Sequence, residues 1–126
     1  MENIPIRRGD IYYADFGEAE GSAMQGRRPA LIISNNKGNE NSPVVIVAAI
    51  TSSPKAKHLP THLIMERRAG LWRKSMLLLE QICTMDKSLL GEKLGQVSED
   101  FLKKVDRALG ISVGLDSQYN SVSSKH

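Results

Sequence analysis

Pro43-Val44-Val45-Ile46-Val47-Ala48-Ala49-Ile50-Thr51 decides the fold class. An almost continuous apolar run of this length, rich in β-branched residues, suits a central strand buried on both faces. Turn signals bound it on either side, Asn35-Asn36-Lys37-Gly38-Asn39 before it and Ser52-Ser53-Pro54 after it. Working outward, Pro29 to Ser34 predicts a second strand. Pro29 fits the first position of that strand, where a missing N–H costs no ladder bond. Ile11-Tyr12-Tyr13-Ala14-Asp15-Phe16 predicts a third and stops at Gly17. Beyond the central run, Thr61 to Met65 predicts a short strand after Pro60. Ser75 to Met85 continues as one strand or two, with a break expected near Glu80-Gln81, and Lys93 to Val97 forms a last short one.

The pattern then changes period. Ser98 is a suitable helix N-cap, followed by Glu99 and Asp100 where the helix dipole favours acid. Phe101, Val105, Ala108 and Leu109 recur at helical spacing, with Lys103, Lys104 and Arg107 left for the wet side. Gly110 or Gly114 can end the helix. Strands at short intervals followed by one helix predict a mainly β, α+β domain: a small, strongly curved sheet or barrel capped by a C-terminal helix. The expected domain spans residues 1–115, and the polar segment 116–126 is expected to be a disordered tail.

Composition narrows the class of function. The chain has 126 residues, enough for one core and too few for two. Its net charge of +3 and pI near 9.1 favour a polyanionic partner only mildly. No apolar run approaches the length of a membrane span. The N-terminal residues lack the apolar stretch of a signal peptide. Cys83 is the only cysteine, which excludes an intrachain disulfide. The expected location is therefore the cytoplasm, with no membrane partner.

Position says more than net charge. Arg27, Arg28, Lys55, Lys57, Arg67, Arg68, Arg73 and Lys74 all fall in polar connections between apolar runs. There they face solvent or a ligand. Arg28 closes the glycine-studded loop 17–26 and stands directly before Pro29, so a guanidinium that keeps its proton is anchored by a strand. That is a place to hold a phosphate. Thr51 ends the central strand at a polar loop, and a sheet could bring the two to one rim.

Other chemistries find less support. His58 and His62 have helical ligand spacing, but Pro60 lies between them, and an extended segment would hold them roughly 13 Å apart. No metal site and no cofactor are expected. The loop glycines lack a following Gly-Lys-Ser/Thr and lead into a strand, which excludes both common nucleotide-binding fingerprints. Gly-x-Ser-x-Gly is absent. Glu18 and Glu20 could form an acid/base pair or simply be solvated.

Five short stretches, in order, resemble the MazF/PemK toxins. They are Arg8-Gly9-Asp10-Ile11-Tyr12-Tyr13-Ala14-Asp15-Phe16; the loop ending Arg28-Pro29; Val47-Ala48-Ala49-Ile50-Thr51; Leu59-Pro60-Thr61-His62; and Leu79-Glu80-Gln81-Ile82-Cys83-Thr84-Met85-Asp86. The resemblance covers roughly residues 7 to 115. It implies a homodimeric toxin on a small SH3-like barrel, partnered by an antitoxin with an acidic C-terminal segment. It further implies metal-free, ribosome-independent cleavage of single-stranded RNA. The family arginine falls on Arg28 and the family threonine on Thr51, with Ser22 and Gln81 in support. Where the family loop commonly reads Gly-Ser-Glu-Gln, this chain has Gly21-Ser22-Ala23-Met24.

Under that resemblance Phe16, Gln25, Arg27, Lys55, Lys57 and Trp72 are candidate RNA contacts. Aromatic rings would stack unstacked bases, and cations would track phosphates. Trp72 lies between Arg67-Arg68 and Arg73-Lys74, and packing is the alternative role for it. Two rival functions remain on the same fold: a CcdB-like gyrase poison, disfavoured by the absence of a C-terminal tryptophan, and an RNA-binding module without catalysis.

Overall fold

Alternation along β3 (Val44–Thr51) divides the interior in two. The computed structural model describes residues 4–19, 21, 23–52, 59–65, 70–71 and 74–115. On one face of β3, Ala48 and Ile50 join Ile11, Leu31, Leu77, Leu79 and Val105 in a buried cluster. On the other, Val45 and Val47 join Tyr12, Ala14, Ala30, Ile32 and Met85. Such two-sided burial is what the apolar run demands from Val47 onward. It fails at the start of the strand, where Val44 and Ile46 are 37% and 39% exposed.

Around β3 lie β1 (Asp10–Asp15), β2 (Arg27–Ile32), β4 (His62–Met65), β5 (Ser75–Asp86) and β6 (Leu90–Gln96). They form one sheet in the order β4-β5-β3-β2-β1-β6, and every pairing is antiparallel. Two helices complete the chain, α1 (Asn36–Asn41) and α2 (Glu99–Ser112). Ser98 caps α2 through a bond from Phe101 N–H, and Val105 and Ala108 are buried. Burying a side chain such as Val105 stabilises the fold by about 1.5–3 kcal/mol. α2 packs on β5 and β4, and Arg8 ties the first loop to it through a 2.7 Å ion pair with Asp106.

Several expected boundaries move. The segment expected as a turn at Asn35 to Asn39 is the first part of α1, because Asn35 accepts the Gly38 N–H and so caps a helix instead of closing a turn. β6 begins at Leu90, not Lys93, led in by a short 3-10 turn over Lys87–Leu89. α2 runs through Gly110 and stops at the second expected glycine: Ser112 is its last residue, Val113 the C-cap, and Gly114 follows at φ +80°. Pro29 is the third residue of β2, not its first.

Register shifts in two ladders shape the sheet. In the β3–β5 ladder, Ala48 pairs with Ile82 and the next residue, Ala49, with Leu78. Leu79, Glu80 and Gln81 therefore bulge out with no partner on β3, at the expected break. In the β1–β6 ladder, Ile11 pairs with Gly95 but Tyr12 with Lys93, so Leu94 is extra. The backbone of Gly70, in the connection after β4, packs on that bulge. A Cβ at Gly70 would lie 1.8 Å from the Leu94 carbonyl oxygen. The sheet thus curls until the connection beyond one edge strand meets the other edge, as in a small barrel.

Candidate active site

Pro29 opens the sheet where the two strongest candidates lie. Phe16 N–H bonds the Gly26 carbonyl, which fixes the alternation of hydrogen-bonded pairs along β1 and β2. Tyr13 and Pro29 are then a non-hydrogen-bonded pair, and the Pro29 nitrogen faces β3. The β2–β3 register runs Ile32↔Val47, Leu31↔Ala48, Ala30↔Ala49. The next rung would need an N–H from Pro29, which has none, and the ladder ends there. Continued one residue further, the same register sets Arg28 across from Thr51 with both side chains on one face.

Arg28 is braced from the loop side. Its Nε–H donates to the Gln25 carbonyl oxygen at 3.0 Å. Among the described residues no partner takes its terminal amino groups, which a ligand could therefore use. The loop before it is pinched at its neck by Phe16 N–H to Gly26 O at 2.9 Å and Gly26 N–H to Gly17 O at 2.7 Å. It is also held at its far side, where Met24 N–H donates to Gln81 Oε1 at 3.2 Å. Gln81 is thus a strut, presented by the β5 bulge to the loop that ends at Arg28. Thr51 is buried, with 6% exposure, at the end of β3. Beside the opening lies a cavity of about 200 Å³ lined by Tyr13, Arg28, Pro29, Ile50, Ser52 and Ser75 among others.

The other expected contacts divide. Gln25 folds back on its own loop, its side-chain oxygen accepting the Ala19 N–H at 3.2 Å. Phe16 is half-buried and packs against the cluster of Tyr12, Ala14 and Ile32, so its ring serves the core. Arg27, one residue from Arg28, points to the opposite face of β2. Its Nη2 would lie 3.0 Å from a Cβ on Gly91 of β6. Strand alternation separates the two arginines that adjacency in sequence had grouped. Ser22, Lys55, Lys57 and Trp72 lie outside the described residues, as do Glu20, His58, Arg67, Arg68, Arg73 and the segment 116–126.

Sequence reasoning missed a polar cluster on the β4–β5 side. His62, weighed only as a metal ligand, is buried and bonds Glu80 through Nε2 at 2.7 Å. Thr61 Oγ1 donates to the other Glu80 oxygen at 2.8 Å. Burial pushes the Glu80 carboxyl up, but the bonds from His62 and Thr61 outweigh it and hold the group below its ordinary value. The available signal was the unbroken Leu59-Pro60-Thr61-His62 string beside a Glu80 in the middle of a strand. Burial also raises the Cys83 thiol. It raises the Tyr12 phenol as well, aided by the neighbouring Asp10 carboxylate.

A curled antiparallel sheet with a capping helix and a cationic strand-end cleft defines a small barrel of the toxin type. Solved structures agree. The chain superposes on MazF from Deinococcus radiodurans with a TM-score of 0.77 at 25% identity, covering 89% of this chain and 99% of that one. A mycobacterial endoribonuclease in complex with its cognate antitoxin gives 0.74 at 29% identity, covering 87% and 96%. A curated relative, the endoribonuclease MazF of Staphylococcus epidermidis, is 49% identical over 113 residues, 89% of this chain and 94% of that protein. Residues 7–113 match the family model of PemK-like, MazF-like toxins of type II toxin-antitoxin systems, and the chain belongs to that family.

Proposed function

We propose that this chain is the toxin of a toxin–antitoxin pair and cleaves single-stranded RNA, with Arg28 and Thr51 gripping the scissile phosphate. The observation that supports this assignment is the β2–β3 ladder ending at Ala30↔Ala49, whose register, extended by two residues, would bring Arg28 opposite Thr51. Family membership and the 49% identical endoribonuclease support the activity. The antitoxin complex of a structural relative supports an antitoxin partner. The working unit is a homodimer, and its place is the cytoplasm. No helix among the described residues is long and apolar enough to cross a membrane.

The RNA supplies its own nucleophile. The 2′-hydroxyl attacks the adjacent phosphorus and loses its proton, while the 5′-oxygen departs and takes one up. A 2′,3′-cyclic phosphate and a 5′-hydroxyl remain. Between these states the phosphorane oxygens gather negative charge, and Arg28 answers it with a bidentate, charge-assisted grip. The Thr51 hydroxyl donates to the same group. Arg28 acts by electrostatic stabilisation, since a guanidinium is a poor proton acceptor. Ser22 and Gln81 support from the loop side. Lys55, Lys57 and Trp72 contact the flanking RNA, while Gln25 braces its own loop, Phe16 packs on the core and Arg27 faces the other side of β2.

The test is cleavage of a long single-stranded RNA in EDTA, with the new ends mapped. Arg28→Ala and Thr51→Ala should each lower the rate by about 10²–10³ while leaving the circular dichroism spectrum unchanged. A requirement for magnesium, or a normal rate in Arg28→Ala, would sink the mechanism. RNA binding without cleavage would favour a binding module, and gyrase trapping without cleavage a gyrase poison.

A further inference from the structure

The β5 bulge needs an external support, and its position suggests why that support matters. Leu79, Glu80 and Gln81 have no partner on β3, so that ladder cannot fix where they stand. What holds them comes from β4 and the turn before it. Leu79 N–H donates to the Thr61 carbonyl at 2.9 Å, and Thr61 Oγ1 donates to Glu80 Oε1 at 2.8 Å. His62 Nε2 meets Glu80 Oε2 at 2.7 Å. The remaining ring nitrogen of His62 is 3.3 Å from the Leu59 N–H. A backbone N–H can only donate, so Nδ1 carries the lone pair and Nε2 carries the proton. One ring therefore links the Leu59 backbone to the bulge.

From the bulge the chain of contacts continues to the cleavage site. Gln81 accepts the Met24 N–H and the Gln25 carbonyl accepts the Arg28 Nε–H, and the β2–β3 register extended past Ala30↔Ala49 would bring Arg28 opposite Thr51. We propose that His62 is a positioning residue for RNA cleavage: through Glu80 it sets the bulge from which Gln81 steadies the loop that aims Arg28. This rests on the assignment of Arg28 to the scissile phosphate. His62 touches no substrate, and the expected signature is a loss in kcat more than in KM.

Three variants separate positioning from packing. His62→Phe keeps the ring volume and removes both bonds, His62→Gln restores an acceptor and a donor, and Thr61→Val weakens the same support outside the core. With a fluorogenic single-stranded RNA, His62→Phe should lower kcat about tenfold with little change in KM, and His62→Gln should recover most of it. Thr61→Val should fall between them. In a Gln81→Ala background the His62→Phe effect should shrink to about twofold or less, because the path is already cut. Hydrogen exchange at the Met24 amide should quicken in His62→Phe and not in His62→Gln.

Equal losses in His62→Phe and His62→Gln, a full His62→Phe penalty on top of Gln81→Ala, or unchanged Met24 exchange would overturn the proposal. If His62→Phe does not fold, Thr61→Val and its cycle with Gln81→Ala decide the matter by the same criteria. The Met24 exchange readout does not depend on RNA cleavage. A failure of the Arg28 assignment would therefore leave the Met24 response intact, whereas a failure of the His62 proposal would abolish it.

Discussion

Gly70→Ala should be among the most damaging small substitutions in this protein. Two separable costs contribute. Gly70 has φ +85°, a left-handed conformation that costs a residue with a Cβ about 1–2 kcal/mol. The new Cβ would also sit 1.8 Å from the Leu94 carbonyl oxygen, where real contacts stop at 3.0 Å, and the obstacle is backbone. Forcing that separation resembles overpacking a filled core, about 1–3 kcal/mol. Together the expected loss is about 2–5 kcal/mol. Gly114→Ala is the control, since Gly114 has φ +80° with nothing near its Cβ position, so only the conformational cost applies. Urea unfolding followed by far-ultraviolet circular dichroism gives both values, with a slope of about 1–3 kcal/mol per molar. Gly70 and Leu94 line the same cavity as Arg28, so RNA cleavage should also fall at temperatures where Gly70→Ala is fully folded. If Gly70→Ala costs no more than Gly114→Ala, the connection does not close on β6 as described.

Pro29→Ala restores the N–H missing from the β2–β3 ladder. The new bond, about 0.5–1.5 kcal/mol, should offset the roughly 0.4–1 kcal/mol lost through a freer unfolded chain. Stability should stay level while RNA cleavage drops as the gap closes; undiminished cleavage would show that the gap is incidental. Glu80 is held below its ordinary value in the folded state, so it stabilises the fold above its unfolded pKa, near 4.5. That contribution is lost as pH falls through the lower folded value. Acid titration of stability should therefore be flatter for Glu80→Gln than for the parent below about pH 4.5, and parallel curves would remove Glu80 from the account. Burial holds the Cys83 thiol protonated to higher pH than usual. Alkylation by iodoacetamide near pH 8 should be much slower in the native protein than in urea, and equal rates would contradict the packing of Cys83 against the Tyr12 cluster.

The sheet was legible because each strand carries its own pattern: the apolar run of β3, the aromatic and branched residues of β1, the punctuation by Gly17 and Pro54. The helix α2 was legible from Ser98 and the spacing of Val105 and Ala108. Less visible was anything that depends on partnership. The α1 helix hides behind an asparagine- and glycine-rich stretch, and only the Asn35 cap on Gly38 converts it from a turn. Arg28 and Thr51 could be singled out, but their opposition is a property of register, set by the hydrogen bonds of Leu31 and Ile33 far from either. His62 looked like half of a failed metal site because its partner, Glu80, is 18 residues away in sequence. Arg27 was grouped with Arg28 by adjacency, and the two-residue period of a strand undid the pairing.

The open rung at Pro29 has a consequence for how such a protein can diversify. The proposed catalytic pair, Arg28 and Thr51, is carried on strand ends, just beyond the last pair of the β2–β3 ladder. The two connections that frame it, residues 17–26 and 52–61, adjoin those same strand ends. New side chains in either connection, away from Met24 and Gln25 that brace Arg28, should alter which bases are grasped while the proposed phosphate grip stays put. On the proposed assignment, reaction and recognition occupy separate parts of the chain, and a library confined to the two connections, with Met24 and Gln25 kept, should shift sequence preference without rebuilding the chemistry.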